Sequence, residues 1–431
     1  MIRVESVDQE GRGIAHVGGK VIFIEGALPG ETVTYTSFHD KATFEIARVE
    51  TIIEPSAARV VPRCRHFGIC GGCSLQHLDI SAQVAVKQRV LEDNLWHIGK
   101  VRPDAILPAI YGQPWGYRHR ARFSARFVSK KGGALIGFRE KRSSRVAEMT
   151  GCEVVPHRIS LLLAPLRELI GALSIRERVP QLELAIGEGV DVLVLRALQP
   201  PTPEDANLLH QFADQYHVQF FLQLHGPESV TPFYPLQNEV LHYRLPEFAL
   251  KIDFSPTDFT QVNHAVNAIL VRRALALLDP LPGERIADMF CGLGNFSLAI
   301  ARQGSRVVGI EGNQRLVASA RSNAENNGLV ALADFMKVDL FQIDSQKLSR
   351  LGKFDRMLLD PPRDGAIELI KALENENAPS RIVYVSCNPA TLARDAGVLV
   401  HTKDYRLSAT GVVNMFPHTS HVESVALFRR D

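Results

Sequence analysis

The sequence predicts an α/β protein that ends in a doubly wound, mostly parallel sheet, preceded by a small β-barrel and a mixed middle domain. From residue 263 onwards, short apolar strands alternate with helical stretches, whereas residues 1–52 hold short β-rich runs separated by Gly and Pro. A chain of 431 residues is also too long for one ordinary core. We therefore predict three domains, at residues 1–55, 56–258 and 259–431.

Composition and charge limit the class of protein. Hydrophobic residues at 45% and charged residues at 22% are ordinary globular values, which excludes disordered and fibrous chains. The N-terminus lacks the apolar core of a signal peptide, and no apolar run reaches the length of about 18 residues that spans a membrane, so we expect a cytoplasmic protein. The net charge of +2 is uneven, because residues 1–150 hold 22 Lys and Arg against 15 Asp and Glu.

The first domain is predicted from two β-rich runs, VIFIEGALPGETVTY and FEIARVETII. The pattern GRGIAHVGGKVIFIEGALPGETV resembles the TRAM domain, a small OB-like barrel found on RNA-modifying enzymes. Composition alone leaves open a generic β-barrel without a partner.

The middle domain begins with three cysteines in residues 63–76 and an amphipathic helix over residues 81–99. The apolar residues Val84, Val90, Leu91 and Leu95 form one face of that helix, which can pack on the last domain. From Tyr117 to about Leu250 the sequence is strand-rich, with one predicted helix, EDANLLHQFADQYH.

The last domain is predicted from five strands in the order RIADMF, RVVGIEG, FMKVDL, FDRMLLD and RIVYVSC. Two more strand candidates, YRLSATGVV and HVESVALFRR, follow without a convincing helix between them. That ending is similar to the antiparallel hairpin of class I methyltransferases, whose sheet is Rossmann-like.

The first of these strands ends in a Gly-x-Gly turn at Gly292 and Gly294. The second strand ends in Glu311, where a carboxylate can accept hydrogen bonds from ribose hydroxyls. A nicotinamide dehydrogenase has the same layout, but its third fingerprint position is Gly or Ala, whereas here it is Ser297. Asp360 and two prolines after the fourth strand form a rigid turn that faces the crevice where substrates bind. This turn favours a methyltransferase over a dehydrogenase.

Cys387 ends the fifth strand beside a helix that starts with proline. A free cysteine has a pKa of about 8.5, and a helix N-terminus is expected to lower it. A lone cysteine is more often a small buried residue than a nucleophile. The residues that accompany it decide between the two interpretations.

Methylation of a pyrimidine at carbon 5 needs a thiolate that adds to carbon 6 and a base that later removes the carbon-5 proton. The segment MFPHTSHVESV offers three candidates for that base, His418, His421 and Glu423.

The motifs LDPPR, VSCNPATL and FPHTSHVESV, in this order and behind a TRAM-like front, resemble the RNA uracil-5-methyltransferase family over essentially the whole chain. The resemblance implies that Cys387 is the nucleophile, that Glu423 is the base and that S-adenosyl-L-methionine is the cofactor. Together with the glycine turn, it implies cofactor contacts at Gln261, Phe290, Gly292, Asn295, Glu311, Asp339 and Asp360.

Four cysteines, Cys64, Cys70, Cys73 and Cys152, can supply four thiolates. Their spacing fits either a tetrahedral zinc ion or an iron-sulfur cluster, and does not decide between them. The family resemblance implies a 4Fe-4S cluster.

Residues 117–145 are the most basic stretch, with ten Lys and Arg and one acidic residue. Cations bind phosphates, and the interleaved Tyr117, Phe123, Phe127 and Phe138 can stack on unpaired bases. We predict RNA contacts, whereas the alternative is a solvated strand face. The predicted RNA-binding residues are Arg118, Arg120, Arg122, Arg126, Lys130 and Lys131.

The leading hypothesis is a monomeric enzyme that methylates a uridine of 23S ribosomal RNA, because within the family a TRAM-like front and four such cysteines point to the ribosomal enzymes. The target uridine must leave its stack to reach a thiolate, which is easiest in a loop. The alternatives are a different ribosomal or transfer RNA uridine, and a non-catalytic RNA-binding protein with a vestigial methyltransferase fold.

Overall fold

The structure is a computed structural model that describes residues 1–237 and 239–430. Its first unit is a curled sheet with the strand order β1-β5-β6-β4-β3-β2. The edge strands β1 and β2 are neighbours in the chain, so the sheet closes on itself as the predicted barrel. Its strands are β1 (Ile2–Arg3), β2 (Ser6–Val7), β3 (Gly13–Val17), β4 (Lys20–Glu25), β5 (Thr32–Asp40) and β6 (Phe44–Glu54).

The middle unit is a mixed sheet with the order β13-β12-β11-β10-β8-β9, covered by two helices. In chain order the elements from residue 80 are α1 (Ile80–Asn94), β7 (Ala105–Ile106), β8 (Arg120–Val128), β9 (Gly133–Gly137), α2 (His157–Ala172), β10 (Gln181–Ile186), β11 (Asp191–Arg196), α3 (Pro203–Tyr216), β12 (Gln219–Gln223), β13 (Val230–Tyr234), β14 (His242–Leu245) and β15 (Leu250–Asp253).

The last unit is the predicted doubly wound sheet, with the order β18-β17-β16-β19-β20-β22-β21-β7. Strands β16 to β20 are parallel, and β22 is antiparallel to both neighbours, as predicted for the final hairpin. Its elements are α4 (His264–Leu278), β16 (Arg285–Met289), α5 (Ser297–Arg302), β17 (Arg306–Glu311), α6 (Gln314–Asn326), β18 (Ala333–Lys337), α7 (Ser345–Arg350), β19 (Arg356–Leu359), α8 (Ile367–Ala372), β20 (Arg381–Ser386), α9 (Pro389–Thr402), β21 (Arg406–Val413) and β22 (Glu423–Arg429).

Both faces of this sheet are buried, because alternate residues of each strand point into two different cores. In β20, Val383 and Val385 belong to one core, while Ile382 and Tyr384 belong to the other. Burial of both faces explains why the central strands have nearly continuous apolar sequences.

The segment from α1 to β7 crosses from the middle unit to the last one. After α1, a π-helical turn over Leu95–Gly99 packs against α9, and β7 pairs in parallel with β21. The contact is so close that a Cβ atom at Gly99 would lie 2.3 Å from the carbonyl oxygen of Ala393. One edge of the last sheet is therefore built from residues far upstream in the chain.

Three sequence predictions need correction. Helix α2 was missed, because an internal proline, Pro165, obscured its helical pattern. The strand FMKVDL is shifted to Ala333–Lys337, since Asp339 instead caps a 3-10 turn at Leu340–Gln342. The helix predicted over residues 81–99 is α-helical only to Asn94, and its buried face includes polar Gln83 and Lys87 beside Val90 and Leu91.

Candidate active site

The carboxyl ends of the parallel strands bring the predicted site residues to one edge of the last sheet. Phe290 follows β16, Glu311 ends β17, Asp360 follows β19 and Cys387 follows β20. Strand β22 runs in the opposite direction, so its first residue, Glu423, lies at the same edge.

The strand register places the predicted nucleophile beside the predicted base. Ser386 pairs with Ser424 in the antiparallel β20–β22 ladder, so the next residues outwards, Cys387 and Glu423, lie side by side. Glu423 is 3% exposed and Cys387 is partly accessible. The arrangement offers a partly accessible thiol with a buried carboxyl group on the neighbouring strand.

The two histidine candidates for the base have other surroundings. His418 is buried, its ring stacks on Trp115 with centroids 3.8 Å apart, and burial lowers its pKa to about 4. Exposed His421 contacts Arg363, with 3.4 Å between Nδ1 and the guanidinium. Of the three candidates, Glu423 is the one that the register sets beside Cys387.

Burial dominates the electrostatics of this edge. It raises the pKa of Cys387 to about 12, and the carboxylates of Glu423 and Asp360 act in the same direction. It also raises the pKa of Glu423 to about 8 and that of Asp360 to about 7. The expectation that the helix N-terminus lowers the pKa of Cys387 is therefore wrong for this state of the protein, because desolvation and two carboxylates outweigh the helix.

The turn after β16 has the geometry of a loop that cradles a ligand. Phe290 and Gly292 have φ angles of +66° and +55°. A side chain at Gly292 would meet no atom within 4 Å, so the space above the loop is open. The amide of Gly292 donates to Glu311 at 3.2 Å, and the amide of Asn313 donates to the other carboxylate oxygen at 2.9 Å.

The remaining predicted cofactor residues surround this loop in different ways. Asp339 accepts the amide of Phe341 at 3.0 Å, and the Phe341 ring faces Phe290 with centroids 5.7 Å apart. Gln261 is buried in the segment before α4. The amide of Asn295 is bonded to protein partners: it exchanges hydrogen bonds with Asn267 at 2.9 and 3.1 Å and accepts the Tyr243 hydroxyl at 2.9 Å.

The donor set fits an adenosylated cofactor. Below the loop, Asp288 is fully buried, and its Oδ1 atom has no hydrogen-bond partner among the described residues. An open glycine turn, an exposed aromatic face and acidic groups at two strand ends match the ribose and adenine of such a molecule.

The four predicted cysteines line one small cavity together with Phe138 and Met149. Burial raises the pKa of Cys70 to about 11 and that of Cys73 to about 12, and the other thiols add to this effect. Within residues 1–237 and 239–430, no three His, Cys, Asp or Glu side chains are arranged to hold a metal ion. The thiols thus share a cavity without converging on one point.

The segment that follows Cys73 is hydrogen-bonded directly to the loop that precedes Glu423. The amides of Ser74 and Leu75 both donate to the carbonyl of His418 at 2.9 Å. The Tyr117 hydroxyl donates to the carbonyl of Pro417 at 2.9 Å. The sequence does not indicate these contacts, because their partners lie 300 or more positions apart in the chain.

The basic stretch divides into an outward and an inward set. Arg122 and Arg126 point outwards from β8, and Lys130 and Lys131 are exposed at its end. Arg120 instead donates to the carbonyl of Pro256 at 2.7 Å, so it ties β8 to the segment before α4.

Four aromatic residues of this stretch do not form a stacking surface for bases. Tyr117 and Phe123 are 4% and 0% exposed. Phe127 and Phe138 are covered by guanidinium groups, those of Arg176 and Arg118 respectively. Burial excludes stacking on RNA for Tyr117 and Phe123, and alternation along β8 explains why Phe123 points into the core.

A cleft separates the barrel from the middle unit above the cysteine segment. Its lining includes the basic side chains of Arg12, Arg122, Arg139, Lys141 and Arg142 and the acidic side chains of Glu10, Glu25 and Glu140. Arg142 crosses the base of the cleft, where it pairs with Glu25 and packs on the ring of Phe38 at 4.8 Å.

Among the described residues, no helix combines the length and apolar character that crossing a membrane requires.

Comparisons with known proteins agree with the fold. The family model for tRNA (Uracil-5-)-methyltransferase matches residues 230–431, and that for the TRAM domain matches residues 1–34. The 23S rRNA (uracil(1939)-C(5))-methyltransferase RlmD of Nitrosospira multiformis is 61% identical over 100% of this chain and 98% of its own length. The protein of the same name from Dechloromonas aromatica is 58% identical over 99% of this chain and 98% of its length.

A solved structure also resembles the whole chain. The Pyrococcus abyssi tRNA (uracil-54, C5)-methyltransferase in complex with S-adenosyl-L-homocysteine superposes with a TM-score of 0.77 at 25% identity, covering 99% of this chain and 98% of that one.

Proposed function

Because the chain belongs to the family of the 23S rRNA (uracil-C5)-methyltransferases, we propose that it transfers a methyl group from S-adenosyl-L-methionine to carbon 5 of a uridine in 23S ribosomal RNA. The target is the uridine that corresponds to the one named for its relatives. The observation that carries the proposal is the side-by-side position of Cys387 and Glu423 at the carboxyl edge of the sheet.

In the first step the partly accessible thiol of Cys387 releases its proton to solvent, and its sulfur forms a bond to carbon 6 of the ring. The carbon 5–carbon 6 double bond opens, and electron density moves to carbon 5, which is otherwise too weak a nucleophile for methylation. The bound cofactor supplies an electrophilic methyl group. Among the cofactor residues proposed from the resemblance, Glu311 and the open turn at Gly292 are best placed to hold it.

In the last step the Glu423 carboxylate accepts the carbon-5 proton. The electron pair of the broken carbon–hydrogen bond restores the ring double bond, and the bond between carbon 6 and sulfur breaks to release the Cys387 thiolate. A pKa of about 8 suits Glu423 to this task, because a general base works best when its pKa lies near the working pH.

RNA carrying 5-fluorouridine at the target tests this mechanism, since fluorine at carbon 5 leaves no proton to remove. The wild-type protein should form an adduct that survives denaturant and migrates as one species in a denaturing gel. Cys387→Ala should form none, while it still binds the cofactor with wild-type affinity in calorimetry. A wild-type complex that denaturant dissociates would instead indicate a non-catalytic RNA-binding protein.

The four cysteines, in this proposal, hold a 4Fe-4S cluster. The shared cavity supports the assignment, as does an amide of Gly72 that donates to the Cys70 sulfur at 3.3 Å, a bond typical around cluster thiolates. The family resemblance favours a cluster over the single zinc ion that four thiolates could also bind. The four cysteines, when they hold the cluster, would stabilise the segment that contacts the His418 loop.

Metal analysis separates the two assignments. Protein purified without oxygen should be brown and hold about four irons per chain, whereas Cys73→Ser should hold much less iron. Colourless wild-type protein with one zinc per chain would exclude the cluster.

The RNA is proposed to bind as a loop whose target uridine is flipped towards Cys387, by a monomeric protein in the cytoplasm. Exposed Arg122, Arg126, Lys130 and Lys131 and the basic cleft beside the barrel provide cations for its phosphates. Flipping costs a few kcal/mol, and the cost is smallest in a loop.

A further inference from the structure

Helix α1 turns two buried polar side chains towards the loop that leads to Glu423. Gln83 and Lys87 lie one turn apart and are 0% and 1% exposed. The amide of Gln83 is hydrogen-bonded to the main chain: its nitrogen donates to two carbonyl groups, and its oxygen accepts the hydrogen bond of the His418 N–H at 2.8 Å. The contacts of Gln83 explain why it is buried, whereas the positive charge of Lys87 still needs an explanation.

The ammonium group of Lys87 donates to Asn414 Oδ1 at 2.8 Å and to the carbonyl of Phe416 at 2.9 Å. Both acceptors are neutral, and within the described part of the chain no carboxylate lies within the 4.0 Å of an ion pair with Lys87. A neutral amide could make the same two bonds with far less desolvation. The positive charge itself therefore requires a role.

The position of Lys87 relates that charge to the base. Its acceptor Asn414 directly follows Val413, which is the cross-strand partner of Glu423 in the β21–β22 ladder. The ammonium group is thus held next to the rung that carries the base.

Other ionisable groups also face this rung. They are Asp360 and Arg363 from the turn after β19, Cys387 from β20, and His418 and His421 from the loop of Glu423 itself. Asp360 opposes ionisation of Glu423, while Arg363 and Lys87 favour it. Burial lowers the pKa of Lys87, and the negative charge of Glu423 favours its charged form.

We propose, on the premise of the function proposed above, that Lys87 is a positioning residue for removal of the carbon-5 proton. Its buried ammonium group holds the turn from Asn414 to Phe416 and stabilises Glu423 as a carboxylate, the form that can accept the proton. Ionised Glu423 in turn favours the protonated form of Lys87, so each charge stabilises the other during the step.

Loss of this charge should affect two steps in opposite directions. Without Lys87 a smaller fraction of Glu423 is ionised at neutral pH, so proton removal and release of the thiolate slow down. Addition of Cys387 to the ring should not slow, because a neutral Glu423 removes a negative charge beside the forming thiolate. Damage to the fold would slow both steps.

The test uses Lys87→Gln, which keeps a donor for the two oxygens, and Lys87→Met, which removes it. Arg89→Gln on the exposed face of α1 removes the same charge as a control. Single-turnover reactions with target RNA and cofactor, stopped in denaturant from pH 6 to pH 10, measure adduct formation and product release separately.

Both Lys87 variants should release product at least about tenfold more slowly at pH 7 and accumulate the methylated adduct. The pH midpoint of release should rise by about one unit, as expected for loss of one nearby opposite charge. Lys87→Arg should restore much of the wild-type midpoint, and Arg89→Gln should behave as wild type.

An unchanged release midpoint in Lys87→Gln would overturn the role of Lys87. So would equal slowing of both steps in a variant that melts at the wild-type temperature. Failure of the proposed function is a separate result, because the wild-type protein would then form no covalent adduct at all.

Discussion

At Cys387 and Glu423, burial and neighbouring charge set the chemistry of single residues. Both groups are held in their protonated forms at neutral pH, with pKa values of about 12 and about 8. Cys387 and Glu423 therefore carry little negative charge in this state. Deprotonation of Glu423 becomes complete only as the pH rises through its raised pKa, so turnover limited by this base should increase from pH 7 to pH 9.

Replacement of Glu423 by Gln should separate the two halves of the reaction. Glutamine cannot accept a proton, whereas addition and methyl transfer do not need this carboxylate. Product release should fall by about 10²–10⁴-fold, and a methylated protein–RNA adduct should accumulate, which denaturing gels and mass spectrometry can follow. Normal turnover in this variant would mean that His418 or His421 is the base, and His418→Asn and His421→Asn are the matching controls.

Among single elements, α1 and its π-helical turn, which packs on α9, form one of the contacts that join the middle and last units. It depends on Gly99, whose α-carbon lies against the main chain of Ala393 and Gly397. The same helix carries Gln83 and Lys87 to the His418 loop. Tight backbone packing at one end of α1 therefore controls the position of polar groups at the other.

Replacement of Gly99 by Ala should lower the stability of the protein by roughly 1–3 kcal/mol, because the new Cβ atom would overlap a main-chain oxygen that cannot move aside. Gly226→Ala is the matched control, since its Cβ would meet no atom within 4 Å. Its free energy of unfolding should change by less than about 0.5 kcal/mol. Equal melting temperatures for the two variants would show that α1 does not pack on α9 this closely.

Across the whole molecule, ion pairs and hydrogen bonds connect the barrel, the middle unit and the last sheet. The barrel docks through Arg142 and Glu25 beside the basic cleft, and the cysteine segment below it contacts the loop of Glu423. In the proposed function, RNA binding and chemistry are assigned to different units.

Neutralisation of Arg126, Lys130 and Lys131 to Gln should weaken RNA binding and lessen its dependence on salt. Each lost phosphate contact should reduce the slope of log K against log salt by about 0.7–0.9, measured by filter binding at several salt concentrations. Affinity for the cofactor should stay the same, because Glu311 and the Gly292 turn lie in the last unit.

The control for that variant removes three exposed charges elsewhere, at Arg272, Lys371 and Arg406. It changes the net charge equally and should leave the slope nearly unchanged. If both triple variants lose the same slope, the binding depends on overall charge, and the basic end of β8 is only a solvated surface.

The sequence by itself determined the class of fold, the order of the strands and the residues with the right chemistry. These features are local patterns, which can be recognised in the sequence itself. They are the alternating strands and helices, the glycine turn at Gly292 and the motifs around Cys387 and Glu423. For the same reason the basic character of residues 117–145 was visible, although not which of its arginines are exposed.

Only the tertiary structure decided what depends on contacts between distant segments. It turned Phe123 and Arg120 inwards, buried Cys387 so that its pKa rises rather than falls, and brought Lys87 beside the rung of Glu423. Desolvation depends on every atom that covers a group, and those atoms come from distant parts of the chain. Lys87 and its partner Asn414, for example, are 327 positions apart. No pattern along the sequence contains that information, because burial is a property of the packed molecule.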